Sequence, residues 1–165
     1  MIVRAALLLF LIACSSNGTK REDGAMPQKP EQQTPAAPSA KVQKVYLDTP
    51  RGEVPVTVEV VDTWPKIEKG LMFREFLPAD AGMLFKMGYE HDHAFYMRNT
   101  LIPLDMIFIK KDMTVAGISE MAEPRTETLR KVGVPSLYVL EVNGGYTRAH
   151  GVVAGAKVRY ENITP

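Results

Sequence analysis

Between residues 54 and 60 the chain alternates, with Val54, Val56, Val58 and Val60 set against Pro55, Thr57 and Glu59. That is the period of a strand with one face in a core and the other in water. Residues 42–47, ahead of the Pro50-Arg51-Gly52 turn, are its expected hairpin partner, and Pro55, with no N–H to give to a ladder, predicts an edge position. Asp62 or Thr63 then caps a short helix in which Pro65 suits the first turn and Trp64, Ile67 and Leu71 share a face. Further strands are predicted at 82–87, 94–97, 104–109 and 115–119, with a turn at 110–113 between the last two. Residues 120–134 are polar and aperiodic and read as a long loop. A strand over 136–142 stops at Asn143-Gly144-Gly145, a brief helix over 146–150 is closed by Gly151, and 152–160 returns to strand. Many short strands with Gly/Pro turns and one or two short helices predict a mainly β (β-rich α+β) domain. Its expected form is a small, antiparallel, partly closed barrel-like sheet rather than a set of βαβ units.

The first residues follow another pattern: Arg4, an apolar run over 5–13, then Cys14-Ser15-Ser16-Asn17. This order predicts a secretory signal over 1–13. The run is short of the roughly 20 residues a spanning helix needs. Leu11-Ile12-Ala13-Cys14 resembles the bacterial lipobox, which implies lipid on Cys14 and membrane attachment through it, since two or three acyl chains anchor a protein stably. Ser15 resembles the outer-membrane sorting pattern, so the expected location is the cell envelope, on the outer membrane facing the periplasm in a host with two membranes. Residues 14–40 then form the lipidated Cys14 and a Pro/Gln/Ala-rich tether with no apolar period, whose expected coil span is roughly 28 Å. Residues 41–165 are long enough for one globular domain with its own core.

Without Arg4 the 20 Lys and Arg become 19, against 19 Asp and Glu. A balanced chain carries no electrostatic footprint for nucleic acid. Cys14 is the only cysteine, so disulfides, thiol nucleophiles and cysteine metal sites are excluded from the domain. There is also no GxSxG elbow, phosphate-cradling glycine loop or HExxH helix.

Four blocks occur in order: Gly70-Leu71-Met72-Phe73-Arg74, Gly82-Met83-Leu84-Phe85, the run from Phe95 through Asn99 to Asp105, and Tyr138-Val139-Leu140-Glu141. In order and spacing they resemble the domain-of-unknown-function 192 family, with the block from Asn99 to Asp105 the most specific. The resemblance implies a compact, frequently exported β-rich domain and supplies no activity. Tyr96 stands where the family often has tryptophan, and Ala156 follows Gly155 where an aspartate is common.

Asp105 shares a strand face with Ile107 and Ile109, where an ionised carboxylate needs a cation or several donors. Arg74 and Arg98 are its expected partners, in an internal ion pair or a ligand site. Glu141, next to an apolar run, could join Asp105 as a carboxylate pair for acid and base chemistry. Asn99 and Thr100 precede Pro103, where they either close a turn or present an amide and a hydroxyl to a ligand. His91 and His93, with Met87 and Met97, combine imidazole and thioether ligands of the kind that suit Cu(I). Both histidines also read as an exposed turn and the methionines as core.

Three functions follow. The preferred one is a membrane-tethered module that binds a small polar ligand or an envelope protein through Arg98, Asn99, Thr100 and Asp105. The second is a hydrolase or lyase using Arg74, Asp105 and Glu141. The third is a copper-handling protein using the Met and His residues.

Overall fold

The structure is a computed structural model and describes residues 41–165; the expected signal, Cys14 and tether lie outside the described residues. The alternating stretch forms the expected hairpin, β1 (Lys44–Thr49) and β2 (Gly52–Val61), with Leu47 opposite Val54 and Thr49 opposite Gly52. There follow α1 (Trp64–Lys69), β3 (Ala81–His91), β4 (Leu104–Ile109), β5 (Val115–Ala122), β6 (Ser136–Asn143), α2 (Tyr146–His150) and β7 (Val158–Glu161). The seven strands form one curled, half-barrel sheet in the order β5-β4-β6-β3-β2-β1-β7.

Several expectations need correction. The sheet is not wholly antiparallel, because β2 and β3 run parallel, with Thr57 beside Ala81 and Val61 beside Phe85. The 62–80 connection, carrying α1, returns the chain to the starting end of the sheet, as a parallel pair requires. Pro55 accordingly sits in an interior strand. Its position is still a local edge, since β3 pairs with β2 only from Thr57 onward. The last strand is also shorter than predicted, residues 152–157 being irregular chain with a turn at 154–155 and a single bridge at Lys157.

The sheet is buried on both faces. Val45, Val56, Leu84, Ile107, Leu140 and Val142 pack on one side. Met83, Phe85, Met106, Phe108 and Val139 pack on the other, beneath Leu71, Leu77 and Met97. Between β3 and β6 the backbones approach so closely at Gly82 that a Cβ there would stand 2.5 Å from the Glu141 carbonyl oxygen. The strand expected over 94–97 does not form: the segment makes one isolated bridge at Phe95, turns at residues 98–99 and is held by the long polar loop. Phe95 bridges Arg130, the Met97 N–H donates to the Thr126 carbonyl at 2.9 Å, and the Arg125 N–H donates to that of Thr100 at 3.1 Å.

Asp105 lies with Ile107 and Ile109, fully buried, and neither expected arginine reaches it. Its Oδ1 accepts the backbone N–H of Met121 at 2.8 Å and of Gly145 at 2.9 Å. Its Oδ2 accepts the N–H and the hydroxyl of Thr147 at 2.9 and 2.6 Å. The donors are thus the end of β5 and the first turn of α2, whose own N–H groups have no intrahelical acceptor. Arg74 instead grips Glu59 through both terminal nitrogens at 2.5 and 2.6 Å, and Arg98 meets Glu127 at 2.9 Å. Hydrogen bonds to a charged group contribute about 1.5–3 kcal/mol each, and orphaned buried donors cost about 1–3 kcal/mol. Asp105→Ala is therefore expected to destabilise by about 3 kcal/mol or more. Arg74→Gln, which breaks a partly exposed pair, should cost at most about 1 kcal/mol. Urea unfolding of both and of the double variant should give additive losses; coupling beyond about 0.5 kcal/mol would contradict the separate assignments.

Candidate ligand pocket

Glu141 occupies the centre of β6 between Leu140 and Val142, and its side chain emerges on the face of Val139, opposite Met83 of β3 and Met106 of β4. The residue is 5% exposed. Burial alone, with no compensating donor or cation, pushes its carboxyl up to about 8. At neutral pH the group is mostly the neutral acid.

Above it is a cavity of about 270 Å³. Phe85, Met87 and Glu141 come from the sheet, Trp64 and Ile67 from α1, and Phe95, Tyr96 and Thr100 from the 94–100 segment. A shallower groove of about 340 Å³ adjoins it, sharing Glu68, Lys69, Met72 and Tyr96 and adding Arg98 and Asn99. The lining is apolar within and polar at the rim, the usual composition of a small-molecule site.

Local chain geometry sets the two walls. Pro65 opens α1, and Gly70, at φ 45°, ends it where an added Cβ would stand 3.3 Å from the Phe85 ring. The chain then passes through Phe73 at φ 64°, whose N–H donates to the carbonyl of Asn99, itself at φ 56°, over 2.8 Å. Asparagine tolerates the left-handed region; for phenylalanine it costs roughly 1–2 kcal/mol. This hydrogen bond joins the α1 wall to the 94–100 wall.

The sequence-derived candidates divide. Thr100 and Glu141 line the cavity together, and Arg98 and Asn99 line the groove beside it, the Arg98 guanidinium 5.2 Å above the Tyr96 ring. Asp105 is absent from both. It faces Val142 across the β4–β6 pair while Met106 faces Glu141, so the two carboxyls lie on opposite faces of the sheet and form no acid–base pair. With Arg74 bound to Glu59, the set Arg74, Asp105 and Glu141 is dispersed.

The copper ligands are likewise divided. Met87 and Met97 are core residues and His91 is exposed, whereas His93, expected in an exposed turn, is buried, with Nε2 3.0 Å from the Tyr89 carbonyl oxygen. The two imidazoles pack edge to face, centroids 5.6 Å apart. Among the described residues no three His, Cys, Asp or Glu side chains gather as a metal site.

Sequence reasoning missed the aromatic lining. Trp64, Phe85, Phe95 and Tyr96 come from three separate segments, and only the unexplained Glu141 pointed to them.

A family model described as uncharacterized ACR, DUF192, matches residues 46–160, which include every cavity residue named here. A crystal structure of a proposed transcription regulator from Sinorhizobium meliloti 1021 is 35% identical, with 77% of this chain and 99% of that one covered and a TM-score of 0.70. A protein of unknown function from Novosphingobium aromaticivorans DSM 12444 is 38% identical over 70% of this chain and 83% of that one, with a TM-score of 0.68. No curated protein matches the chain.

The Glu141 carboxyl makes stability depend on pH with a definite sign. Its folded value is raised from 4.5 to about 8, so its contribution is fully present below pH 4.5 and is lost as pH rises to about 8. The loss approaches 1.4 kcal/mol per pH unit across that window. Relative to wild type, Glu141→Gln should therefore gain stability steadily from pH 5 to 8 and melt higher at pH 9. Parallel wild-type and variant curves across that range would show that the carboxyl is solvated.

Proposed function

The chain belongs to the domain-of-unknown-function 192 family, a membership that brings a fold without an activity, and from that premise we propose that it is a small-molecule binding module held at the cell envelope by lipid on Cys14. The observation that carries this reading is an apolar cavity with one buried, unpaired carboxyl at its base. Binding sites of this kind use a few convergent polar groups to orient an otherwise apolar ligand. The ligand accordingly has an apolar body and one polar group, in place of the small polar molecule expected from the sequence.

The dispersal of Arg74, Asp105 and Glu141 favours binding over hydrolysis, since general acid–base work needs its groups within reach of one substrate. The balanced charge favours a small molecule over nucleic acid. Attachment to the envelope is supported by the lipobox-like Leu11-Ile12-Ala13-Cys14 run and by the tether-like composition after it.

Both parts can be tested separately. A ligand that fills the cavity should raise the melting temperature of the full chain by about 10 °C at a hundredfold excess over Kd. Ala94→Trp, which places a large ring at an exposed position on the lining, should abolish that shift while leaving the unliganded melting temperature nearly unchanged. A ligand shift that survives Ala94→Trp would remove the cavity as the site. Cys14→Ala should move the protein from the detergent to the aqueous phase, and a wild-type mature amino terminus with no acyl mass would end the anchoring proposal.

A further inference from the structure

Resting on the cavity reading, the geometry points to a specific ligand class: a small organic cation, with a primary ammonium on Glu141 and Thr100 and an apolar body between the aromatic walls. The first argument concerns what the cavity lacks. Its interior polar residues are Glu141, which offers two acceptor oxygens once ionised, and Thr100, both 5% exposed. A primary ammonium brings three donors and no acceptor. A hydrocarbon would leave the carboxyl unmatched.

The second argument concerns the lining. Trp64, Phe85, Phe95 and Tyr96 line the same space, and aromatic rings attract a cation placed over their faces.

The third concerns the charges around it. Thioethers of Met83 and Met106 flank Glu141 from the neighbouring strands. Glu68 and Lys69 lie at the rim on α1 with opposite signs, Arg98 is paired with Glu127, and Arg74 with Glu59. The protein itself thus supplies Glu141 with no buried counter-ion among the described residues. At about 270 Å³ the cavity exceeds the roughly 150 Å³ that holds a benzene ring, so an aryl ring with a short alkyl chain is a reasonable body.

The ionic step balances simply. The ammonium enters with its charge, the Glu141 O–H bond breaks, and the proton passes to buffer, leaving a carboxylate–ammonium pair. Because burial holds the empty carboxyl at about 8, affinity should rise by up to about tenfold per pH unit between pH 6 and 8 and level off above.

The test is isothermal titration calorimetry on the full chain carrying Cys14→Ala, with 2-phenylethylammonium, 2-phenylethanol and 3-phenylpropanoate as probes. Two buffers of different protonation enthalpy at each pH count the protons released. The expected result is tightest binding of the ammonium probe, with about one proton released at pH 6.5. Glu141→Gln should weaken that probe by at least about tenfold and remove the proton release. Tighter binding of the alcohol or the carboxylate without proton release would overturn the cation assignment and leave the cavity as a binding site. If no probe binds and no ligand shift is lost in Ala94→Trp, the binding-module reading falls with it.

Discussion

A strand buried on both faces has no direction in which a polar side chain can reach water, and β4 and β6 are two such strands side by side. Each carries one carboxyl, and the pleat sends Asp105 to one face and Glu141 to the other. The two solutions differ in kind. Asp105 collects four donors from β5 and α2, fixing the chain's return after β6 onto the sheet. Glu141 collects none and keeps its proton instead. One carboxyl is consumed by the architecture; the other is left with its valence open toward a cavity.

That cavity exists because of the one departure from antiparallel order. To lay β3 parallel to β2 the chain has to cross over, and the crossover carries α1 across the face where Glu141 emerges. The opposing wall, residues 94–100, would be a loose connection without the 125–130 stretch backing it through four backbone hydrogen bonds. A polar stretch with no period thus serves as a brace.

What was legible in the sequence follows from range. The hairpin of β1 and β2, the entry of α1 at Thr63 and Pro65 and the span of α2 with Gly151 after it rest on residues a few positions apart, and alternation or turn chemistry encodes them. The parallel pairing was not legible, because a short helix between two strands can be read locally while the direction in which the second strand docks beside the first cannot. Asp105 was rightly marked as a carboxylate in need of partners. Arginines were expected because side chains are visible in a sequence, whereas the actual donors are mostly main-chain N–H groups, which every residue but proline carries. The proposed pairing of Asp105 with Glu141 depended on the relative parity of two strands separated in the chain by all of β5 and the long polar loop. Alternation within each strand is blind to that quantity. Arg98, Asn99 and Thr100 were found beside the cavity because a turn before proline is a local feature.

The hydrogen bond from Phe73 to Asn99 ties the two walls through main-chain atoms, at residues that both adopt left-handed backbone. The spacing of the walls is consequently a property of the frame, while the aromatic and aliphatic side chains projecting between them are furnishing. Related chains could exchange those side chains, and so the molecules they accommodate, without altering the frame, which would let one scaffold serve many ligands while its backbone stayed recognisably the same.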